Sequence, residues 1–324
     1  MKKVLVLSAF VLSLVIILPA AVVLIFGSFG ERTETQTAQN PEKMITVLMD
    51  GKVREFELEE YLFGVVAGEM PADFHIEALK AQAVAARTYI LNKASQKDPD
   101  HPNADVCTDP THCKAYLTDA EIDEKFGADW KDKYAEKILK SIYETKGEIA
   151  VYNGEPIEAV FHSMGSGKTE NAKDVWGGDV PYLVSADSPG DELSPNFYSE
   201  ITVSKNEFCS AVSAQTGKDC AAYIDNIEYN DTGSVKTIDL GGEKFSGTQA
   251  RSMFSLPSTN FTVEDIGDAF LFHTKGKGHG VGMSQYGAEY YAENGMNYKD
   301  ILKLYYKGIE IKNYGDLNDK GNKS

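Results

Sequence analysis

The sequence predicts an α+β fold: one continuous domain of interleaved short strands and helices, behind a single apolar N-terminal helix. Three observations carry that reading. Two turn dipeptides, Asp50 with Gly51 and Asn153 with Gly154, sit between apolar runs, the strongest short signal for antiparallel hairpins. Ile76, Leu79, Ala83, Ala86 and Ile90 recur at helical spacing. Helices and strands alternate without a βαβ repeat.

The elements follow in chain order. Residues 4–26 carry no charge, and at ~1.5 Å per residue such a run crosses a bilayer core of ~30 Å. Lys2 and Lys3 precede it, which leaves the N-terminus in the cytoplasm. The alternative is a cleaved signal peptide. Pro19, Ala20 and Ala21 mimic a cleavage site, but the apolar run continues through Phe26. The expected organisation is a cytoplasmic end and membrane anchor over 1–27, a polar linker over 28–43, an extracytoplasmic domain over 44–313 and a flexible tail over 314–324. Within the domain, two lobes with a substrate cleft between them are compatible with the pattern.

Residues 45–58 read as a hairpin, and a helix over 59–67 is stopped by Gly68 and Pro71, one through backbone freedom and one through its missing N–H. The helix over 75–95 is thin, with Ala78, Ala81, Ala83, Ala85 and Ala86, so neighbours can approach its backbone closely. Residues 98–113 are turn-rich. A helix is expected over 132–145, then strands over 148–153 and 156–162 and a long loop region over 163–195. The stretch 201–272 mixes short elements whose order the pattern does not give. A glycine loop over 276–282 feeds a helix over 283–293.

Beyond the apolar run, 30 Lys and Arg face 49 Asp and Glu, a charge of −19. Nucleic acid is an unsuited partner, because affinity for phosphate backbones comes from cationic contacts. The same charge opposes lying on an anionic membrane. A neutral or sugar-like ligand is compatible with it.

Three stretches stand out: "VAGEMPADFHIEALKAQAVAARTY" over 66–89, "AVFHSMGSGKTENAKDVWGGDVPYL" over 159–183 and "GKGHGVGMSQYGA" over 276–288. Together, and in this order, they resemble the stage II sporulation protein D family of endospore-forming bacteria, related to amidase enhancer domains. The resemblance spans about residues 44–313. It implies a lytic transglycosylase that cuts glycan strands stripped of stem peptides during engulfment. It also implies partnership with the sporulation amidase, stage II sporulation protein P, and the membrane protein, stage II sporulation protein M. The glutamate of the GEMP motif, here Glu69, would be catalytic.

The chemistry that Glu69 would perform is specific. Hydrolysis of a glycosidic bond normally takes two carboxyl groups. A lytic transglycosylase needs one: the acid protonates the leaving oxygen, then as carboxylate accepts the proton of the sugar's own C6 hydroxyl, which attacks C1. Glu69 must therefore start protonated near pH 7, which demands a raised pKa. Val65, Val66 and Met70 are the local apolar candidates for the desolvation that raises it. Read without the resemblance, a glutamate between glycine and proline is a helix-end residue. Arg87, with Tyr89 in the same helix, is either half of a buried ion pair or a supporting residue near the cleft. His162, Ser163, Tyr182, His279, Ser284 and Gln285 match family motif positions, either as sugar-binding groups or as hydrogen bonds that stabilise the motifs.

His101, Cys107, His112 and Cys113 fall within one turn-rich loop. Two Cys and two His form a common zinc donor set, although the spacing is not that of a zinc finger. The resemblance adds that some clostridial members carry zinc near the active site. The expectation is a structural zinc, with a Cys107 to Cys113 disulfide or free thiols as rivals. Cys209 and Cys220 are either bridged or free. Residues 165–169 mimic the end of a phosphate loop but lack its first glycine, and Gly276, Gly278, Gly280 and Gly282 lack dinucleotide spacing.

Overall fold

A computed structural model of the chain describes residues 42–110 and 112–320. The expected anchor, residues 1–27, and all of the linker but its last two residues lie outside them, as does the end of the tail. Among the described residues no helix is long and apolar enough to cross a membrane.

The domain opens on the expected hairpin, β1 (Met44–Met49) against β2 (Lys52–Glu57). Asp50 and Gly51 both take positive φ, as a two-residue turn of this type requires. Helix α1 (Leu58–Glu69) follows directly, and Glu57 caps it by accepting the Glu60 N–H. It ends at Met70, before Pro71. Helix α2 (Ile76–Ala94) is the central strut, capped by His75, whose Nδ1 accepts the Glu77 N–H. Its alanines from Ala78 to Ala86 are fully buried, so α1 and later helices pack onto its backbone from several sides.

The two-residue strand β3 (Val106–Cys107) then pairs in parallel with β1. Helix α3 (Asp119–Phe126) was not anticipated, although Thr118 and Glu121 form a capping box that announces it. Helix α4 (Asp129–Tyr143) starts three residues before the expected position. Strand β4 (Glu148–Tyr152) forms the predicted hairpin, but its partner β5 is only Glu155–Pro156. The expected strand over 156–162 is corrected here. Pro156 has no N–H to continue the ladder, and the chain leaves to form β6 (Phe161–His162), which pairs in parallel with β13 (Met283–Ser284).

After a short helix α5 (Ala172–Trp176) comes a β-rich stretch. Strand β7 (Tyr198–Ser204) and helix α6 (Lys205–Thr216) lead to β8 (Ile224–Tyr229), β9 (Val235–Leu240) and β10 (Glu243–Ser246), then α7 (Gly247–Met253), β11 (Phe261–Asp265) and β12 (Ala269–Lys275). Two antiparallel sheets result, in orders β10-β9-β8 and β11-β12-β7. They enclose their own apolar cluster around Phe208, Phe254, Phe270 and Phe272, separate from the larger cluster built on α1 and α2. The chain returns through the glycine loop to α8 (Gln285–Glu293), which begins two residues later than expected because Ser284 is its cap. Helix α9 (Tyr298–Tyr305) and β14 (Glu310–Asn313), the latter paired with β4, close the first core. The α+β class holds, and parallel pairing among the described residues is limited to two two-residue ladders and the Glu170–Val281 bridge.

Arg87 has no solvent exposure. Its Nε donates to both Glu59 carboxylate oxygens at 2.9 and 3.1 Å, and its Nη2 lies 2.5 Å from Glu59 Oε2. The same guanidinium donates to the carbonyls of Glu148 and Ile142, and Gly147 N–H donates to Glu59. Of the two roles left open for Arg87, it fills that of the buried ion pair. It joins α1, α2, α4 and β4 and offers no surface to a ligand. Replacing it strands a buried carboxylate, so Arg87→Ala is expected to lower unfolding free energy by about 3–5 kcal/mol in urea titrations. A loss below about 1 kcal/mol would show that the pair is dispensable.

Candidate active site and Cys/His centre

Glu69 occupies the last turn of α1, and its Oε1 accepts the Ala115 N–H at 2.9 Å. The strand of chain that supplies this donor runs along a glycine face of the helix. A Cβ on Gly64 would lie 2.4 Å from the Tyr116 ring and 2.6 Å from the Leu117 carbonyl, so only glycine admits this approach. Leu117 N–H donates to the Gly64 carbonyl at 3.1 Å, and Gly68 sits against Ala115 one turn further on. Val65, Val66 and Met70 are buried around the same turns. Burial raises the Glu69 pKa above the ordinary carboxyl range, opposed by the Lys114 ammonium, the Ala115 N–H and Lys125.

Lys114 is the residue that sequence reasoning missed. Its Nζ lies 3.8 Å from the centre of the Phe161 ring and 4.3 Å from that of Tyr89, a cation held between two aromatic faces. Through Phe161 it connects Glu69 to the second motif. Its charge is felt by Glu69, His162 and His279 alike. No motif marks it beyond its place next to Cys113.

His162 and His279 have ring centres 5.5 Å apart, and Trp176 lies 5.3 Å from His279. Burial pushes His162 down to about 4 and His279 to about 3, so both imidazoles are neutral at physiological pH. His162 Nδ1 donates to the Val281 carbonyl at 3.1 Å, which leaves Nε2 a buried acceptor without a partner among the described residues. His279 Nδ1 accepts the Val281 N–H. A Cβ on Gly278 would come within 2.9 Å of His162 Cβ, so the glycine loop is what lets the two motifs touch.

The remaining motif residues hold the frame. Ser284 is fully buried, caps α8 through the Gly287 N–H and donates to Asp191. Gln285 reaches Gln82 of α2 at 3.3 Å. Tyr182 accepts the Glu158 N–H and packs on Tyr152. The Ser163 carbonyl accepts the Tyr286 N–H. Tyr89 is buried and its hydroxyl donates to the His112 carbonyl. Cys209 and Cys220 are free thiols standing side by side, 2.7 Å apart.

The four Cys and His side chains converge, with their donor atoms all within 4.8 Å of one another. Cys107 Sγ is 3.4 Å from His112 Nδ1, and Cys113 Sγ is 3.4 Å from His101 Nε2 and 3.6 Å from His112 Nδ1. With zinc bonds of ~2.3 Å to sulfur and ~2.0 Å to nitrogen, a tetrahedral S···N edge is about 3.5 Å. Outer partners orient the rings. His101 Nδ1 donates to the Ala104 carbonyl, and His112 Nε2 faces Asp98 at 3.3 Å and Asp100 at 3.5 Å, so both inward nitrogens present lone pairs. Strand β3 anchors the loop on β1, where the Asp105 carboxylate also accepts from Thr46. The residues fit a tetrahedral divalent ion.

An α+β domain with one largely buried glutamate at a helix end, wired to a four-donor Cys/His centre, defines a narrow class of protein. The family described as Stage II sporulation protein, SpoIID, matches residues 50–152, which include Glu69 and all four Cys and His donors. The chain is 39% identical over 261 residues to Stage II sporulation protein D of Bacillus amyloliquefaciens, covering 80% of this chain and 75% of the relative. It is 38% identical over the same length, with the same coverage, to Stage II sporulation protein D of Bacillus subtilis (strain 168). The Amidase enhancer of Bacillus subtilis (strain 168) is 30% identical over 309 residues, 78% of this chain and 40% of that protein. The chain belongs to the stage II sporulation protein D family.

The Gly64 contact yields a direct test. Gly64→Ala pushes the 115–117 segment from α1 and is expected to cost about 1–3 kcal/mol in stability, measured by urea unfolding. Faster hydrogen exchange at the Ala115 amide should accompany it; unchanged protection would show that Glu69 is held some other way.

Proposed function

We propose that the protein is a lytic transglycosylase that cleaves the MurNAc–GlcNAc bond of denuded peptidoglycan glycan strands during engulfment in endospore formation. The observation that carries this reading is the Glu69 carboxyl, held by one backbone N–H in surroundings that raise its pKa. A carboxyl whose pKa is raised keeps its acid form to higher pH and can protonate the glycosidic oxygen as the C1–O bond breaks. The resulting carboxylate then takes the proton of the C6 hydroxyl as that oxygen bonds to C1, giving a 1,6-anhydro end. No water is consumed, and the carboxyl is returned to its starting state. The Ala115 N–H and the Lys114 charge stabilise the carboxylate half of the cycle. His162 and His279, neutral and adjacent, are suited to accept or donate to sugar hydroxyls rather than to compete for the proton. The strand would lie in a cleft between the two cores.

The Cys/His centre would hold zinc through His101 Nε2, Cys107, His112 Nδ1 and Cys113. Four protein donors complete a tetrahedral set, which is the pattern of a structural ion. Its role here would be to set the segment that begins at Lys114 and Ala115. Residues 1–27 would anchor the domain on the outer side of the membrane. The sporulation amidase, stage II sporulation protein P, would supply the denuded strands, and stage II sporulation protein M would be a membrane partner.

A second reading, a glycan-binding module that stimulates an amidase, is favoured by the relative named Amidase enhancer. Glu69→Gln separates the two, because the amide still accepts the Ala115 N–H but cannot give a proton. Release of anhydro ends from denuded strands should fall by at least ~10²-fold, whereas stimulation of an amidase would persist. A variant that keeps its rate removes Glu69 from the mechanism.

The pH dependence has a defined sign. A raised pKa keeps the acid form to higher pH than an exposed glutamate would, so the rate should decline about tenfold per pH unit above that pKa. A rate that rises through the neutral range would contradict a general-acid role. For the metal, elemental analysis should find about one zinc per chain. Chelation should lower both unfolding temperature and cleavage, and a content far below one would remove zinc from the account.

A further inference from the structure

The β-rich stretch carries a groove that neither Glu69 nor the Cys/His centre uses. It measures about 440 Å³, within the range of small-ligand sites. Its floor is the outer face of the β11-β12-β7 sheet. Tyr198 pairs with Lys275 and Glu200 with His273 across β7 and β12, while Thr262 of β11 lies opposite His273, so Tyr198, Lys275, His273 and Thr262 share one face. Tyr229, at the end of β8 in the other sheet, forms a wall.

Two features of this groove are unusual for idle surface. Tyr198 and Tyr229 are 69% and 46% exposed, large rings left in water beside a well-formed aromatic core. Between them the lining is mostly uncharged and hydrogen-bonding: Thr232, Thr262, Asn260 and Ser166. Asn260 Nδ2 is committed to Ser166 and the Thr232 carbonyl, which leaves its Oδ1 facing no donor among the described residues. The His273 ring is engaged by Glu200 at 3.1 Å. Flat apolar rings beside neutral donors and acceptors match a pyranose, whose axial C–H face is apolar and whose rim is hydroxyl and amide. They do not match a phosphate or a peptide carboxylate, for which the lining offers the lysine Lys275, its ammonium 6.0 Å from the centre of the Tyr198 ring.

The groove shares part of its lining with a smaller pocket that reaches His279. Ser166, Asn260 and Lys275 also line a water-sized polar pocket of about 10 Å³ whose far wall is His279. His279 in turn lies beside the exposed Trp176 and the buried His162, its ring tilted against both. A track of exposed rings and neutral polar groups thus leads from the histidine pair to Tyr198 and Tyr229.

We infer that this groove is a second saccharide site, which holds a stretch of the same glycan strand away from Glu69. The inference rests on the reading of the protein as one that acts on glycan strands. It makes affinity depend on strand length, because only a strand long enough to reach the tyrosines gains their contacts.

The test is binding by isothermal calorimetry of purified denuded glycan strands, graded by length, to the full chain carrying Glu69→Gln so that strands are not consumed. Affinity should rise with length. Adding Tyr198→Ala and Tyr229→Ala together should weaken binding of long strands by roughly tenfold or more and flatten the length dependence. The paired Tyr→Phe changes should keep the affinity, since the rings remain. Hydrogen exchange on the Glu69→Gln chain with tyrosines intact should show strand-dependent protection over 229–233 and 260–275. Wild-type affinity in the alanine pair, no detectable strand binding, or no protection in those segments overturns the site. Failure of the catalytic reading registers elsewhere, as anhydro ends still released by Glu69→Gln.

Discussion

A guanidinium and a carboxylate with almost no access to water lie where three helices and a strand meet. Burying such a pair is costly unless every remaining donor and acceptor finds a partner. Here the Arg87 fork is spent on Glu59 and on the carbonyls of Glu148 and Ile142, and Glu59 also takes the Gly147 N–H. Such a network admits one arrangement of α1 on α2, because a slip of either helix leaves charge unpaired. Glu59 is in the first turn of α1 and Glu69 in the last, ten residues or ~15 Å along a rigid rod. Fixing one end of that rod fixes where the other carboxyl points.

The far end is held by shape rather than charge. Gly64 and Gly68 remove side chains from one stripe of α1, and the segment that leaves the Cys/His loop lies in the gap. The loop is tied to β1 by β3 and by Asp105, so hairpin, loop and helix form one rigid triangle. The two carboxyls of α1 then have opposite fates. Glu59 meets a full cation and several donors and is an anchor. Glu69 meets one N–H and an ammonium that it does not touch closely, and burial moves its pKa upward.

Much of this was legible in the sequence, and for identifiable reasons. The hairpin was read from Asp50 and Gly51, whose positive φ values few other pairs tolerate. Helix α2 was read from its period, and the Cys/His convergence from donor chemistry compressed into thirteen residues. Glu69 was singled out by its motif and not by any property of a lone glutamate. What escaped was non-local. The partner of Phe161 and His162 is a strand more than a hundred residues away, and only the missing N–H of Pro156 marks where the hairpin ends. Arg87 could have been a ligand or an anchor until Glu59 was seen beside it. Lys114 carries no pattern at all, and its importance comes from the rings that later segments bring to it.

The position of Lys114 also bears on why the Cys/His loop stands next to the glutamate at all. Burial alone would leave a carboxyl that holds its proton but gives up little when asked to act as an acid, because its anion would be unsupported. A bare ammonium in contact would have the reverse defect and keep the group ionised. Between these extremes the anion needs a modest, fixed amount of support, and both sources of it, the Ala115 N–H and the Lys114 charge, follow Cys113 directly in the chain. Their distance from the carboxyl is set on one side by the Cys/His donors and on the other by the Gly64 contact. On the proposed reading, a centre that performs no chemistry of its own would govern the acidity of a group it never touches.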